Sequence, residues 1–445
     1  VGGHPDSARA GTPLERGRLV ESARAEVSLP SVIRFLHTSD WHLGLELGGH
    51  DRLPEQERFL AWLLDRCVER EVDALLVAGD VYDVLQPPIA AQALLARFLV
   101  EFHRRLPDSV AVLIAGNHDS APRMEAPLPF AEALGRIHLV GNFHPEDPVR
   151  HLIALTGADG RPAAWCLAIP FLRPSDLECR LLEDELPEAA RCRAIAEAYS
   201  TMVALARKED PTLPVVAMGH LSLAGSLKAG SERVLIGGVE SVAAEAIAAG
   251  ADYMALGHIH RGQQRERGNV RYCGTPYPVG FDEVRHRHQV LIVELEATGD
   301  RPRIEALDVP VFVELLRLYD PPTTWEELEK RLRETDWTAQ KALQPELRPL
   351  AELVYLATPA VSDLRNRHER LARDLPLRLV GAPRAIHGER SGDEVPIHRV
   401  DLDSASGPSD VLERHWLRCH GTKPPDELAA CFGEILADIG MEGRG

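Results

Sequence analysis

Val32-Ile33-Arg34-Phe35-Leu36-His37-Thr38-Ser39-Asp40-Trp41-His42 reads as a short β-branched and aromatic strand that runs straight into an aspartate and a histidine. The same grammar returns four times. Ala74-Leu75-Leu76-Val77-Ala78 ends in Gly79-Asp80-Val81-Tyr82-Asp83, and the apolar run 110–115 ends in Gly116-Asn117-His118-Asp119. Val215-Val216-Ala217-Met218 ends in Gly219-His220, and Tyr253-Met254-Ala255-Leu256 in Gly257-His258-Ile259-His260. A glycine usually stands at the turn, where it permits a sharp change of direction.

Helical patterns separate these runs, at 54–71 with Phe59, Leu60, Leu63, Leu64 and Cys67 on one face, then at 88–105 and 239–249. Strand and helix in alternation predict a layered α/β fold, a two-sheet sandwich flanked by helices. Segments 270–273, 289–296 and 303–309 read as its closing strands. From 311 a second pattern begins: strand 312–318, helix 325–335, strand 353–357, helix 362–374 and strand 377–380.

The expected domains are therefore a disordered extension over 1–31, a catalytic domain over 32–309 and a smaller α/β capping domain over 310–387. A polar linker, 388–407, then leads to a helical tail over 408–445. No internal repeat is visible. At 445 residues the chain is too long for one compact core.

Composition excludes several classes. No run of about 18 apolar residues is present, so no membrane-spanning helix is expected, and the first residues lack the apolar core of a secretory signal. Seven widely scattered cysteines without a C-x-x-C pair argue against a disulfide framework or zinc finger and for the reducing cytoplasm. They read as core fillers. The net charge of −18 does not by itself suggest a nucleic-acid binder, although bound cations would offset clustered carboxylates.

One Asp-x-His or Gly-His is an ordinary turn or cap. Five in order at strand ends, where α/β folds place their active sites, are not. Carboxylates and imidazoles gathered out of water need a compensating charge, which divalent cations provide. The eight candidates exceed what one tetrahedral site uses and fit two ions sharing a bridge, typically about 3.5–4 Å apart. Mixed oxygen and nitrogen donors suit manganese, iron or zinc. Asp83 and Asp119 are open between a supporting role and simple turn residues; Trp41 reads as packing, and His103, His138 and His151 as surface or capping residues.

The ordered set D-x-H, G-D-x-x-D, G-N-H-D, G-H and G-H-x-H resembles the calcineurin-like metallophosphoesterase superfamily. Longer stretches, His37 to Gly44, Gly116 to Ser120, Ala251 to His260, Arg271 to Pro276 and Phe281-Asp282-Glu283, are similar to its SbcD family of bacterial nuclease subunits. The resemblance implies one ion held by Asp40, His42, Asp80 and His260. It implies a second held by Asp80, Asn117, His220 and His258, with Asp80 as the bridge. His118 would attend the scissile phosphate and leaving oxygen, and Asp119 would orient His118. The implied cofactors are two Mn2+ ions, with Mg2+ or Fe2+ as alternatives.

The implied activity is 3′→5′ exonuclease on double-stranded DNA and endonuclease on single strands and hairpins, in DNA repair, recombination and replication. Its partners would be DNA and the ATPase SbcC, in a heterotetramer built on a homodimer. The helix over 89–105, with Leu94, Leu95, Phe98 and Leu99, is the expected dimer face. Apolar residues of the tail, from Val411 to Ile439, would dock on SbcC. Arg123, Arg285 and Arg287 are candidates for touching DNA. A small-molecule phosphodiesterase or protein phosphatase is the alternative. Val84-Leu85-Gln86 where those phosphatases carry an arginine, and Asp119 where they carry a glutamate, favour the nuclease.

Overall fold

The computed structural model describes residues 32–157, 159–177, 181–182, 185–228, 241–265, 268–296, 298–356, 363–386, 408–420, 423–425, 428–429 and 432. The extension 1–31 and the linker 388–407 lie outside them, as does most of the tail beyond residue 420. The chain divides into two units, Val1–Tyr355 with Ser362–Arg384, and Leu356–Val361 with Ala385–Gly445.

The first unit opens with β1 (Ile33–Thr38), the small hairpin β2 (Glu46–Leu47) and β3 (His50–Asp51), and α1 (Leu53–Glu69). It continues through β4 (Ala74–Ala78), α2 (Ile89–Arg105), β5 (Val110–Ile114), α3 (Ala121–Glu125), α4 (Leu128–Leu134) and β6 (Ile137–Val140). Next come β7 (Leu152–Thr156), β8 (Pro162–Ala168), α5 (Pro187–Glu209), β9 (Val215–His220), α6 (Ala244–Ala248) and β10 (Tyr253–Gly257). The sandwich closes with β11 (Gln263–Arg265), β12 (Val270–Tyr272), β13 (Gln289–Leu295) and β14 (Arg303–Asp308).

Two six-stranded sheets result, in the orders β14-β13-β1-β4-β5-β6 and β11-β12-β10-β9-β8-β7. Their centres are parallel: β1 with β4, β4 with β5, and β9 with both β8 and β10. Every residue of β4, β5, β9 and β10 is buried, which is why these strands read as continuous apolar runs. Between the sheets pack Phe35, Leu76, Val112, Ile114, Met218 and Tyr253. Leu63, Leu95 and Phe98 pack α1 and α2 on one outer face, and Tyr199, Met202 and Ile247 pack α5 and α6 on the other.

Downstream, β15 (Leu315–Thr323), α7 (Trp325–Glu334), α8 (Thr338–Lys341), β16 (Leu350–Leu356), α9 (Leu364–Asp374) and β17 (Arg378–Leu379) build a parallel sheet, β15-β16-β17, with helices. The pairing of β15 with β16 shifts register between Leu318 and Thr323, across Pro321-Pro322, which have no N–H to give the ladder. That break hides the second half of the strand from a reading of the sequence. In the second unit α10 (Pro408–His420) carries an Arg414–Asp410 ion pair.

Several expectations need correction. The sequence pattern predicts no element between Ser120 and Val215, yet strands β6, β7 and β8 and the long helix α5 lie there. Three of the seven buried residues of α5 are alanine (Ala190, Ala194 and Ala206 beside Ile195, Tyr199, Met202 and Val203), so its periodicity is faint in hydrophobicity. Helix 239–249 shortens to Ala244–Ala248 among the described residues. His151 is buried rather than superficial, with Nε2 accepting the His144 N–H. Leu94, Leu95, Phe98 and Leu99 face the protein's own core, because they are the positions of α2 that cover the sheet. No helix among the described residues is long and apolar enough to cross a membrane.

Candidate metal centre

The carboxyl ends of β1, β4, β5, β9 and β10 converge at one edge of the sandwich. Each delivers its polar residues through a cramped turn. Six non-glycine residues among those described have positive φ, and four of them are Asp40 (54°), His42 (45°), Asp80 (48°) and His258 (90°). Such backbone is unfavourable and persists where surrounding structure holds it, commonly at functional sites. Gly79 (φ 87°) precedes Asp80, and a Cβ there would collide with the His220 ring.

Asp40, His42 and His260 each bring a ligand atom within 4.8 Å of the others, and so do Asp40, Asp80 and His220. His42, Asp83 and His118 form a third such group. Asp80 lies between the histidines: its Oδ2 is 3.3 Å from His220 Nε2 and 3.9 Å from His42 Nε2. Asn117 Oδ1 stands 3.0 Å from His220 Nε2 and 2.9 Å from His258 Nδ1. His42 Nε2 and His260 Nε2 face each other at 3.3 Å. The eight side chains singled out in the sequence, Asp119 apart, thus meet around one small volume.

Backbone and buried carboxylates set the orientation of each group. His220 Nδ1–H donates to Ala78 O at 2.9 Å, which fixes the ring with Nε2 turned inward, toward Asp80. His260 Nδ1–H donates to Glu283 Oε1 at 2.6 Å, with the same result. His118 Nδ1–H donates to Asp83 O at 2.7 Å, and its backbone N–H to Asp80 Oδ1 at 2.9 Å. The Asp119 carboxylate accepts the N–H groups of Val81 (3.1 Å), Tyr82 (2.8 Å) and Gly116 (2.8 Å). It therefore ties the loop after β4 to the loop after β5. The His118 ring is held by Asp83 O and meets the His42 ring edge-on at 4.8 Å, while the Asp119 carboxylate accepts from backbone.

The residues fit divalent cations. Asp40, His42, Asp80, His220, His258 and His260 are all nearly inaccessible to water. Buried His42 Nδ1 has no hydrogen bond of good geometry, although Asp83 Oδ1 approaches to 3.3 Å. Burial, then the neighbouring His220, pushes His258 down to about 3, so its ring is a neutral donor. Burial opposes charge on His220, yet the Asp80 carboxylate pushes it up to about 9, and Asp80 itself is held well below the usual carboxylate range. Asp80 thus draws positive charge to itself, from a proton or from a cation. Burial and then Asp80 push Asp119 up to about 6.

Sequence reasoning missed the supports. Glu283 is fully buried, its Oε2 accepting the Val279 N–H (2.9 Å) and the Thr275 hydroxyl (3.2 Å). Gln56 Nε2–H donates to His42 O at 2.8 Å. Arg52 is buried and donates to Glu55 Oε2 and Pro278 O. Of the DNA candidates, Arg287 is paired with Asp308 (2.5 Å), and Arg123 is exposed in the last turn of α3. Trp41 is a core residue whose Nε1–H donates to Thr38 Oγ1.

This arrangement agrees with comparison to known proteins. The pattern of the calcineurin-like phosphoesterase family matches residues 33–262. The SbcD subunit of the SbcCD nuclease of Rhodobacter capsulatus is 39% identical over 359 residues, 78% of this chain and 86% of that protein. The chain belongs to the SbcD family of calcineurin-like phosphoesterases. The SbcD proteins of Escherichia coli K12 (36% identical; 63% of this chain, 69% of theirs) and Bacillus subtilis (34%; 59% and 66%) are also similar. As an SbcD-family member the chain is a metal-dependent phosphodiesterase, and the converging donors are the groups available to hold its divalent ions.

Proposed function

We propose that this chain is the nuclease subunit of a DNA-end-processing complex. It cuts duplex DNA as a manganese-dependent 3′→5′ exonuclease and single strands or hairpins as an endonuclease. It works as a homodimer with two copies of an SbcC-type ATPase in the cytoplasm, in double-strand-break and hairpin repair, recombination and replication. The observation that carries the reading is the position of Asp80, whose carboxylate lies against His220 and His42, members of the two donor sets.

Asp40, His42, Asp80 and His260 would hold one ion, and Asp80, Asn117, His220 and His258 the other. Two bound ions supply Lewis acidity toward the phosphate and an acidified water for in-line attack. The chain's own residues do the rest. His118, with Nδ1–H fixed on Asp83 O, would use Nε2 to hold a proton for the leaving oxygen. Asp119 acts as a positioning residue, bracing the two loops that carry Asp80 and His118. Asn117 Oδ1, set between two imidazoles, completes the second donor set with a neutral oxygen.

The homodimer uses the outward side of α2. Ile89 (84% exposed) and Val100 (57%) flank exposed Ala93 and Ala96 on one helical stripe. The tail that includes α10 is the segment assigned to SbcC. The test is cleavage of linear and hairpin DNA with manganese, with and without SbcC and ATP, by the wild type and Asp80→Ala. Cleavage that survives the substitution, or its absence from the complete wild-type complex, would overturn the reading.

A further inference from the structure

A narrow apolar cleft, about 570 Å3 with its mouth included, adjoins the metal-binding residues at the carboxyl ends of β8 and β9. Phe171, Leu172 and Leu177 line one side, and Ile195 and Tyr199, a turn apart on α5, line another. His220 belongs to both places. Its Nε2 is turned to Asn117 and Asp80, while its ring borders the cleft, where Phe171 meets it edge-on at 6.3 Å. Anything bound here lies next to the phosphate that the site would cut.

Two residues of the lining each carry a buried polar atom without a partner among the described residues. Ser222 is 4% exposed and its Oγ has no hydrogen-bond partner among the described residues; the same holds for Arg191 Nε. Buried polar atoms are nearly always satisfied, so an orphaned hydroxyl in a cavity wall points to a ligand that brings the missing partner. A ligand suited to this lining is apolar over most of its surface and polar at its edge. A nucleobase has those properties, and unstacked bases are bound in this way, against aromatic and apolar walls with hydrogen bonds at the rim.

We propose that this cleft receives the base of the nucleotide beside the scissile phosphate, drawn out of the stack, with Ser222 and Arg191 meeting its polar edge. The proposal rests on the nuclease reading and gives it a substrate requirement. Single strands and hairpin tips present such a base without cost, whereas duplex ends must first unpair one.

The test uses the manganese-loaded chain with SbcC and ATP. Single-stranded oligonucleotides carry either a normal nucleotide or a tetrahydrofuran abasic one, placed on the 5′ or the 3′ side of one measured phosphodiester. The wild type should cut the normal strand roughly tenfold better in kcat/KM for one of the two placements, the scale of a single base–aromatic stacking contact. Ile195→Trp fills the cleft and Leu177→Trp blocks its mouth; either should bring that ratio to about one while the abasic strand is cut as before. Ser222→Ala should lower the ratio in part. If Ile195→Trp fails to fold, Leu177→Trp decides. A wild-type ratio near one, or a ratio that both filled variants leave intact, overturns the base pocket. A wild type that cuts neither strand sinks the nuclease reading itself.

Discussion

His260 Nδ1 lies 2.6 Å from Glu283 Oε1, inside a pocket that hides the carboxylate completely from water. A buried carboxylate behind a ligating histidine fixes the ring, selects the tautomer and raises its basicity, and losing it typically lowers metal affinity about 10–100-fold. Glu283→Ala should weaken manganese binding in that range by isothermal titration, whereas Glu283→Gln, which still accepts a hydrogen bond, should lose less. Equal affinity in all three proteins would show that Glu283 supports the loop and not the ligand.

In the proposed ligand sets Asp80 is the shared member, so removing its carboxylate should cost both ions at once. Elemental analysis of purified Asp80→Ala is expected to find both sites depleted, and phosphodiester hydrolysis to fall by at least about 10³-fold. His118→Leu, in contrast, should keep its metal and lose turnover. A metal-free His118→Leu protein contradicts this division of labour.

Gly257 has no room for a side chain. A Cβ there would strike Ala78 O, the acceptor for His220 Nδ1–H, and would crowd the His220 ring. Overpacking of this kind costs about 1–3 kcal/mol. Gly257→Ala should therefore melt earlier and bind manganese more weakly. An unchanged melting curve with wild-type metal content would show that the two sheets can move apart there.

The Arg52–Glu55 pair is buried on both sides, with side chains 0% and 2% exposed. Burial raises the Glu55 pKa, and Arg52 opposes that rise. Breaking a buried pair by removing one partner costs about 3–5 kcal/mol, while exchanging both partners for apolar groups is often neutral. Arg52→Ala should lower the melting temperature sharply, and Arg52→Met with Glu55→Leu should recover most of it. A double variant no better than the single one would locate the cost in the Pro278 contact.

Dimer formation through the outward face of α2 predicts that Ile89→Glu converts the protein to monomers in light scattering at micromolar concentration. Leu94→Ala, which touches only the core, should destabilise without changing the mass. A dimer that survives Ile89→Glu would move the interface elsewhere.

Much of the centre was legible in the sequence because its signals are local. A fully buried parallel strand announces itself as an apolar run, and the chain must turn at its end, so Asp40, Asp80, Asn117, His118, His220, His258 and His260 stand at readable positions. Residues whose role depends on distant contacts were not legible. Glu283 reaches His260 across 23 residues, and Gln56 reaches His42 from the first turns of α1. The alanine-rich burial of α5 left no clear period, so the wall of the cleft beside His220 was invisible. Leu94 and Ile89 are both apolar and sit on one helix; only packing distinguishes the core residue from the exposed one.

The sequence by itself determined the layered α/β architecture and the strand-end positions of the candidate donors, since strand periodicity, glycine turns and residue identity are properties of short segments. Tertiary structure alone decided which nitrogen each histidine turns inward, which carboxylates brace rather than face the site, and which side of α2 stays exposed. Those choices depend on burial and hydrogen-bond pairing between residues up to 218 positions apart, such as the His258 N–H on Asp40, and no local pattern encodes them.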